Sequence, residues 1–305
     1  MRFSVPHPIP YQGSKRRLAE AILSQIPPDR FRRLVEPFAG SAAVTLASAK
    51  RNMFACYVIG DALEPLAKLW QTVVLNPTRI ADGYESLWLR ERAKPIDAYY
   101  EIRDEFNEDK EPSKLLYLLA RCVKNAVRFN PSGNFNQSPD KRRKGTHPTS
   151  MRVELFAAHR LLRNRTVARA GDFSCLLAET ADSDMVYLDP PYQGTSDGRD
   201  SRYIKGVSRD VIIRALSDLN ERRVQFILSY DGSSGNRTYG EPLPAELARQ
   251  ICLDVGRSSQ ATLNGVVGTT IESLYISHGL EDTRIGRNVC LADFSRQSSL
   301  FAQIQ

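Results

Sequence analysis

The sequence predicts an α/β fold, in which a mostly parallel sheet is divided into two halves by a largely helical insertion. Three observations predict it. Short apolar runs, each followed by turn residues and a helix-forming stretch, alternate up to about Val74, as in successive strand–helix units. Strand signals are then missing until Val167. Beyond that point, the apolar run Met185–Leu188 ends at Pro190 and Pro191, which is typical of a buried strand that stops abruptly.

The first unit consists of a short strand at Leu34 and Val35, a turn of small residues and a helix-forming stretch that follows it. Small residues at a strand-to-helix turn let a ligand lie against bare backbone, close to the positive end of the helix. The turn contains Gly40 and, two positions later, Ala42. The methyl group of Ala42 is tolerated at this position if the φ of Ala42 is negative.

The second unit is an apolar strand from Ala55 that ends in an acid, Asp61. An acidic residue at the end of the second strand commonly accepts hydrogen bonds from the ribose hydroxyls of a nucleoside cofactor. Asp is also a favoured helix N-cap, so Asp61 can equally be interpreted as the cap of a helix from Leu63 to Val74.

The insertion contains helical stretches at Ile96–Phe106 and Ser113–Val127, followed by a basic polar segment. The predicted domains are a catalytic domain formed by residues 1–75 and 167–280, an insertion over 76–166, and a C-terminal extension over 281–305.

One segment of the insertion concentrates side chains that can read DNA. Arg can pair with guanine and Asn with adenine in the major groove, and Phe can wedge into a stack that has lost a base. Pro131–Gly133 supplies a turn between two short strands, and a run of four basic residues follows. The alternative is an ordinary exposed hairpin followed by a solvated charge run. The candidate DNA contacts are Arg121, Asn125, Arg128, Phe129, Asn130, Asn134, Asn136, Lys141 and Arg142.

The tetrapeptide Asp189-Pro190-Pro191-Tyr192 directly follows the strand predicted at Met185–Leu188. In open α/β sheets, ligands bind at the carboxyl ends of the strands. Asp189 and the carbonyl of Pro190 can accept hydrogen bonds from the amino group of a planar base while Tyr192 stacks on its ring. Taken alone, the tetrapeptide can equally be a strand-terminating turn.

Three further elements follow the tetrapeptide: a helix at Ser208–Arg222 and strands at Val224–Ser229 and Thr270–Ser277. Between the two strands, Gly256–Gly265 is rich in side chains that hydrogen-bond bases or phosphates. This stretch is a second candidate DNA element, with a surface loop as the alternative.

With these motifs in this order, the chain resembles the amino-group DNA methyltransferases, and among them the DNA adenine N6-methylases whose cofactor motifs precede Asp-Pro-Pro-Tyr. The resemblance covers most of residues 9–277. It implies a Rossmann-like S-adenosylmethionine-dependent sheet with a mostly helical target-recognition insertion that carries a β-hairpin. The implied activity is methyl transfer from S-adenosylmethionine to N6 of a flipped adenine in duplex DNA, with Asp189, Pro190 and Tyr192 as catalytic residues.

The resemblance also implies the cofactor site. The opening motif Pro10–Leu18 completes the pocket, the Gly40 turn holds the methionine part, and Lys15 approaches the cofactor carboxylate. Asp172 and Phe173 match the site of the adenine ring. The implied cofactor-binding residues are Tyr11, Gly13, Lys15, Glu36, Phe38, Gly40, Asp61, Asp172, Phe173 and Asp189.

The chain departs from the family pattern at two positions. Pro10 stands where the family often has a basic residue that touches DNA, and Ala42 stands where a second glycine is frequent. Ser229–Gly232 resembles the family's next motif and is expected to shape the base pocket, with core packing as the alternative for Tyr230.

Composition agrees with a DNA enzyme but does not establish one. The 305 residues, 42% of them hydrophobic, are enough for one or two domains. A net charge of +7 and a pI of about 9.2 suit double-stranded DNA as a partner, and also suit ordinary solubility.

Five scattered cysteines without a Cys-x-x-Cys pair, together with four histidines, argue against a disulfide frame or a metal site and favour a reducing compartment. No long apolar stretch is present, so a cytoplasmic protein without a membrane partner is expected. We expect a monomer, with a cognate restriction endonuclease as a candidate partner.

Three other functions have to be weighed. Cytosine N4-methylation uses the same geometry, usually with Ser in place of Asp189. Glutamine methylation in proteins more often has Asn there and needs no basic hairpin. A DNA-binding regulator without catalysis is disfavoured because Asp189, Tyr192, Gly40 and Asp172 are all present.

Overall fold

A single mixed sheet forms the centre of the molecule. The computed structural model describes residues 4–93, 97–191, 207–234, 237–239, 241–257, 269–280 and 288–290. Its strands are β1 Arg33–Glu36, β2 Cys56–Asp61, β3 Thr166–Ala170, β4 Asp184–Leu188, β5 Gln225–Ser234, β6 Arg237–Tyr239, β7 Arg249–Arg257, β8 Thr269–Ile276 and β9 Asn288–Cys290.

Helices flank this sheet on both sides. They are α1 Ala19–Leu23, α2 Ala43–Lys50, α3 Glu64–Leu75, α4 Pro77–Ala93, α5 Asp97–Asp109, α6 Pro112–Arg121, α7 Pro148–Leu162, α8 Phe173–Ala178 and α9 Arg209–Glu221, with 3-10 turns at Lys15–Arg17, Val123–Asn125 and His278–Leu280.

The strands lie in the order β3-β2-β1-β4-β5-β8-β7-β9, with β6 paired to β5. The first five strands of this order are parallel, and β8 runs antiparallel to both of its neighbours. The strands predicted in the sheet are present, whereas the two short strands predicted on either side of Pro131–Gly133 are reduced to a single bridge between Phe129 and Phe135. The predicted Rossmann-like methyltransferase fold is therefore confirmed.

Alternating side chains of the strands fill two cores, one on each face of the sheet. On β1, Leu34 belongs to the core beneath α1, α2 and α3, whereas Val35 belongs to the core beneath α8 and α9. The same alternation places Tyr187 in the first core and Val186 in the second. Both faces of the sheet are therefore covered, as a parallel sheet requires.

The insertion packs on the first of these faces. Tyr84 of α4 and Phe106 of α5 belong to the same continuous apolar cluster as Leu34 of the sheet and Trp70 of α3. Helix α7 contacts α2, α3 and α4. Residues 76–166 therefore share a core with the sheet, so the predicted insertion and the catalytic half are packed together.

Helix α6 ends at Arg121, six residues before the end predicted from the sequence. Cys122 is extended, and Lys124 and Asn125 have φ values of +61° and +53°. The side chain of Asn125 donates 2.8 Å to the carbonyl of Leu119, which satisfies one of the open carbonyls of the helix end. Asn tolerates the left-handed conformation better than most residues, so it suits this early stop.

None of the described helices is long and apolar enough to cross a membrane.

Candidate active site

The candidate site lies where the strand order reverses. The chain proceeds from β1 to β2 and β3 on one side, and later returns to place β4 on the other side of β1. Parallel neighbours end at the same edge of the sheet, so the turn after Glu36 and the tetrapeptide after Leu188 lie next to each other. A crevice at such a switch point is the usual ligand site of open α/β sheets.

Asp189 shares a buried ammonium group with a second carboxylate. Lys15 Nζ lies 3.3 Å from Asp189 Oδ1 and 3.0 Å from Glu272 Oε2. The side chain of Lys15 is 8% exposed, whereas those of Asp189 and Glu272 are 21% and 18% exposed. The resemblance placed Lys15 beside the cofactor carboxylate, and the structure brings its ammonium to Asp189 of the Asp-Pro-Pro-Tyr tetrapeptide.

Asp189 titrates well above the ordinary range of a carboxylic acid. Burial raises its pKa to about 6, Lys15 opposes this shift, and the charge of Glu272 adds to it. Asp189 is therefore mostly ionised at neutral pH and can accept hydrogen bonds. The adjacent Pro190 is buried. Tyr192, the expected stacking residue, lies outside the described residues.

The turn after β1 is shaped around Gly40. Its φ is +49°, and a Cβ there would lie 3.0 Å from the ring of Tyr11, so the aromatic ring of the opening motif rests against bare backbone. Trp70 Nε1 donates 2.9 Å to the Gly40 carbonyl, and Gly40 N donates 3.1 Å to Asp61 Oδ2. Ser41 and Ser14 join the two segments through their hydroxyls at 2.7 Å.

Ala42 does not meet the condition of a negative φ under which its methyl group is tolerated without strain. Ala42 has φ +47° and is completely buried at the start of α2. Its amide donates 2.6 Å to the carbonyl of Ala39, closing a tight turn. For a residue with a Cβ this left-handed conformation costs about 1–2 kcal/mol. The turn is therefore held in a conformation that glycine adopts more readily.

Asp61 anchors the Gly40 turn with both carboxylate oxygens. Besides Gly40, the amide of Leu63 donates 2.9 Å to Asp61 Oδ1. Helix α3 begins at Glu64 with Leu63 at its N-cap, so the interpretation of Asp61 as the cap is wrong. Burial raises the pKa of Asp61 to about 6, and the two backbone donors oppose that shift. An ionised carboxylate has about four acceptor positions, so two remain for ribose hydroxyls.

Asp172 and Phe173 lie at the end of the neighbouring strand β3. Asp172 caps α8 by accepting 2.9 Å from the amide of Ser174, and its side chain is exposed. The ring of Phe173 is buried with its centroid 4.9 Å from that of Phe38. Gly171 N donates 3.1 Å to the carbonyl of Asp61, which ties the ends of β2 and β3 together.

Glu36 has an internal role that sequence reasoning did not show. Its Oε2 accepts from the amide of Thr45 at 3.0 Å and from the Thr45 hydroxyl at 2.5 Å, which joins β1 to α2. Glu36 is 3% exposed. Burial raises its pKa to about 8, so the carboxyl is mainly protonated at neutral pH.

The insertion forms the predicted hairpin, but its aromatic residues point inward. Phe129 and Phe135 form a bridge across the two arms, and Asn130 N donates 2.8 Å to the carbonyl of Asn134 around the turn. Both rings are at least 95% buried and pack against Phe106. The expectation that Phe129 wedges into DNA therefore conflicts with its position, because the ring is part of the core.

Arg121 is likewise internal. It is 6% exposed, its Nε lies 2.7 Å from both carboxylate oxygens of Glu91, and its Nη1 donates 3.0 Å to the carbonyl of Asp140. This guanidinium joins α4, α6 and the segment after the hairpin. The expected contact of Arg121 with DNA is incompatible with this burial, and the expected role of Asn125 competes with its bond to Leu119.

Other polar residues of the segment remain on the surface. Asn134, Asn136, Lys141 and Arg142 are exposed, whereas Asn130 and Arg128 are half-buried. Asp140 accepts 2.9 Å from the amide of Arg142 and pairs with Arg143 at 2.7 Å, which fixes the start of the basic run.

Two further expectations concern the second half of the sheet. Tyr230 is 1% exposed and belongs to the core beneath α9, as the packing alternative predicted. Its neighbour Asp231 accepts a short hydrogen bond from the hydroxyl of Tyr275. Gly256 and Arg257 end β7, and the rest of the candidate element up to Gly265 lies outside the described residues.

Glu272 and Trp70 are contributors to the site that sequence reasoning missed. Trp70 fits the apolar period of α3, and only its indole bond to Gly40 distinguishes it. Glu272 is the one acid in the alternating run of β8, which is a weak signal. Within the described parts of the chain, no cluster of His, Cys, Asp and Glu could hold a metal ion, and Cys56, Cys122, Cys175 and Cys252 are free thiols.

Several curated proteins are similar to this chain. The Retron Ec67 DNA adenine methylase of Escherichia coli is 30% identical over 194 residues, which cover 62% of this chain and 64% of that protein. The DNA adenine methylase of Serratia marcescens is 28% identical over 186 residues, covering 60% and 65%. The Type II methyltransferase M.MjaIII of Methanocaldococcus jannaschii is 26% identical over 199 residues, covering 60% and 68%.

The chain thus spans slightly less than two thirds of the length of the first two relatives. A broader match comes from the family model of the D12 class of N6 adenine-specific DNA methyltransferases, which fits residues 11–261. That range includes the Gly40 turn, the insertion and the Asp189 tetrapeptide. The chain therefore belongs to the D12 class of N6 adenine-specific DNA methyltransferases.

Proposed function

We propose that this protein transfers a methyl group from S-adenosylmethionine to N6 of an adenine flipped out of duplex DNA. The observation that carries the proposal is the position of Asp189. It follows β4 at the switch point, is half-buried, and lies beside the turn that Gly40 and Asp61 form on the neighbouring strands. An acceptor for an amino group and a nucleoside-binding turn therefore open into the same crevice.

The residues around that turn fit the proposed cofactor. The left-handed Gly40 offers bare backbone under the ring of Tyr11 at the start of α2. Asp61 retains acceptor positions for ribose hydroxyls, and the rings of Phe38 and Phe173 offer an apolar site for a purine. When bound, S-adenosylmethionine supplies an electrophilic methyl group. The chain's own contribution is to hold the two reactants close together in the orientation that methyl transfer requires.

The target nitrogen is a poor nucleophile, because its lone pair is delocalised into the adenine ring. Accepting its N–H bonds at the Asp189 carboxylate and the Pro190 carbonyl favours the pyramidal nitrogen of the transition state. This is preorganised electrostatic stabilisation. The carboxylate has to be ionised to act, and its pKa of about 6 leaves it so at neutral pH.

The amino group of adenine is inaccessible inside a duplex, so the proposed reaction requires base flipping. The exposed polar residues of the insertion are suitable for holding the flanking DNA. Asn134 and Asn136 offer base-edge or sugar contacts, and Lys141 and Arg142 offer phosphate contacts. Arg128 remains a candidate for reading a base, whereas we no longer assign DNA contacts to the buried Arg121 and Phe129.

Nucleoside analysis tests the proposal. The protein is incubated with DNA and methyl-labelled S-adenosylmethionine, the DNA is digested, and its nucleosides are separated. The proposal predicts label in N6-methyl-2′-deoxyadenosine only. Label in N4-methylcytosine would move the assignment to cytosine, and unlabelled DNA with a correctly folded protein that binds the cofactor would support a non-catalytic DNA-binding protein.

A further inference from the structure

Glu272 contributes to the candidate active site from β8, which lies two strands away from β4 in the sheet. It lies on β8, opposite Gly232 of β5, just beyond an irregularity in the β5–β8 register after Ser229. Its carboxylate is 3.0 Å from Lys15 Nζ, nearer than the 3.3 Å between Lys15 and Asp189. Lys15 is therefore held between two carboxylates, one from β8 and one from the tetrapeptide.

This arrangement answers a difficulty in the proposed chemistry. A buried ammonium paired with Asp189 alone would draw the carboxylate toward itself and compete with the amino group of the base for its lone pairs. A second carboxylate shares the three N–H donors of Lys15, and the trio keeps a net negative charge. We propose that Glu272 is a positioning residue, which holds Lys15 so that Asp189 is oriented yet free to accept the amino group of the target base. This inference rests on the function proposed above.

The charged and titratable groups near Asp189 determine how removing Glu272 should act. Among the described residues they are Lys15 on the opening motif, Glu272 on β8, Tyr187 on β4 and Glu36 on β1. Glu272 repels the charged form of Asp189, and Lys15 attracts it. In a Glu272→Gln variant the repulsion is gone and the attraction of Lys15 remains, so the pKa of Asp189 should fall.

The test compares single-turnover methylation rates across pH 4.5 to 9 for the full-length parent, Glu272→Gln, and the control Glu246→Gln, whose carboxylate is exposed. Glu272→Gln should lower the plateau rate roughly tenfold, the effect of a weakened charge-assisted hydrogen bond to the reacting group. The acid limb of the pH–rate profile of Glu272→Gln should move to lower pH, because the rate is lost as Asp189 protonates. Glu272→Asp should restore part of the rate, and Glu246→Gln should match the parent.

A second comparison separates positioning from simple support of the fold. In a Lys15→Met background, Glu272→Gln should cause little further loss, because Glu272 acts through Lys15. In the variants that keep Lys15, S-adenosylmethionine affinity should stay within about twofold of the parent, because neither Glu272 nor Glu246 is among the implied cofactor-binding residues. A Glu272→Gln variant with the rate and the acid limb of the parent would overturn the inference. So would an equal loss of rate on Glu272→Gln substitution in the parent and in the Lys15→Met background, with the acid limb unmoved. A parent protein that makes no N6-methyl-2′-deoxyadenosine would instead overturn the proposed function and this inference with it.

Discussion

The ammonium of Lys15 lies 3.3 Å from the carboxylate of Asp189, although the whole of residues 76–166 separates the two in the sequence. The opening motif of the chain is thus part of the candidate active site. The backbone amide of Gln12, in the same motif, donates 3.0 Å to the carbonyl of Asn125, at the turn that leads into the hairpin. One short segment therefore contacts both the tetrapeptide proposed to bind the target base and the insertion proposed to hold DNA.

Cofactor affinity should depend on Asp61 and Asp172. Replacing either by Ala removes a hydrogen-bond acceptor and should weaken S-adenosylmethionine binding by about 1–3 kcal/mol, measured by calorimetry. Asp61→Ala should have the larger effect, because it also releases Gly40 N and Leu63 N. The exposed Asp182, before the amino end of β4, serves as the control, and Asp182→Ala should bind normally. Unchanged affinity in both test variants would remove our placement of the cofactor.

Substitution of Ala42 by Gly should be nearly neutral for stability. Loss of a buried methyl costs about 0.8 kcal/mol and the freedom of glycine about 0.5–1 kcal/mol, but relief of the left-handed φ returns about 1–2 kcal/mol. Ala47 is buried within α2 and lacks that strain, so Ala47→Gly should cost about 1–2 kcal/mol. Denaturant titrations of the two variants check this contrast, and equal losses at both positions would contradict the strain at Ala42.

The buried Glu36 should make stability fall with rising pH. Its pKa is about 8 in the folded protein against an ordinary value of 4.5, so the folded chain holds a proton that the unfolded chain releases. Its contribution is complete below about pH 4.5 and declines up to about pH 8. Gln mimics the protonated form. Between pH 6.5 and 9, Glu36→Gln should therefore gain roughly 2 kcal/mol relative to the parent. A stability difference that is the same at both pH values would show that Glu36 does not titrate as described.

Arg128 and the basic run Lys141–Lys144 should contribute differently to DNA binding. If Arg128 contacts a base edge, Arg128→Ala should relax preference at one base pair by about 1–3 kcal/mol. Lys141→Ala or Arg142→Ala should weaken binding to all sequences alike and reduce the salt slope by about one. Competition titrations at several salt concentrations separate the two patterns, with Lys50→Ala, an exposed lysine of α2, as the control. If Arg128→Ala changes neither affinity nor sequence profile, the hairpin is not the reading element.

The fold and the backbone of the site were predictable because the sequence patterns that indicate them lie within short segments of the chain. The runs that became β1, β2 and β4 are apolar and end in turn residues, so their positions follow from periodicity. The Gly40 turn, Asp61 and Asp189 then fall at carboxyl ends of strands, where topology brings them together.

Properties that depend on long-range packing were not predictable. Nothing in the sequence shows that Arg121 pairs with Glu91 rather than with DNA, or that Phe129 packs on Phe106. Base-reading and core-building residues are of the same types, and only burial distinguishes them. The contact of Glu272 with Lys15 likewise depends on the β5–β8 register, which an irregularity shifts.

The central claim is that the Asp189 carboxylate accepts the amino group of the target base during methyl transfer. Single-turnover methylation by Asp189→Ala, with S-adenosylmethionine affinity measured on the same preparation, tests it most directly. We predict a rate lower by roughly 10²-fold or more, the loss seen when one preorganised hydrogen-bonding group is removed from a reacting centre, with nearly unchanged cofactor affinity. A rate close to that of the parent, or a loss explained entirely by weaker cofactor binding, would contradict the claim.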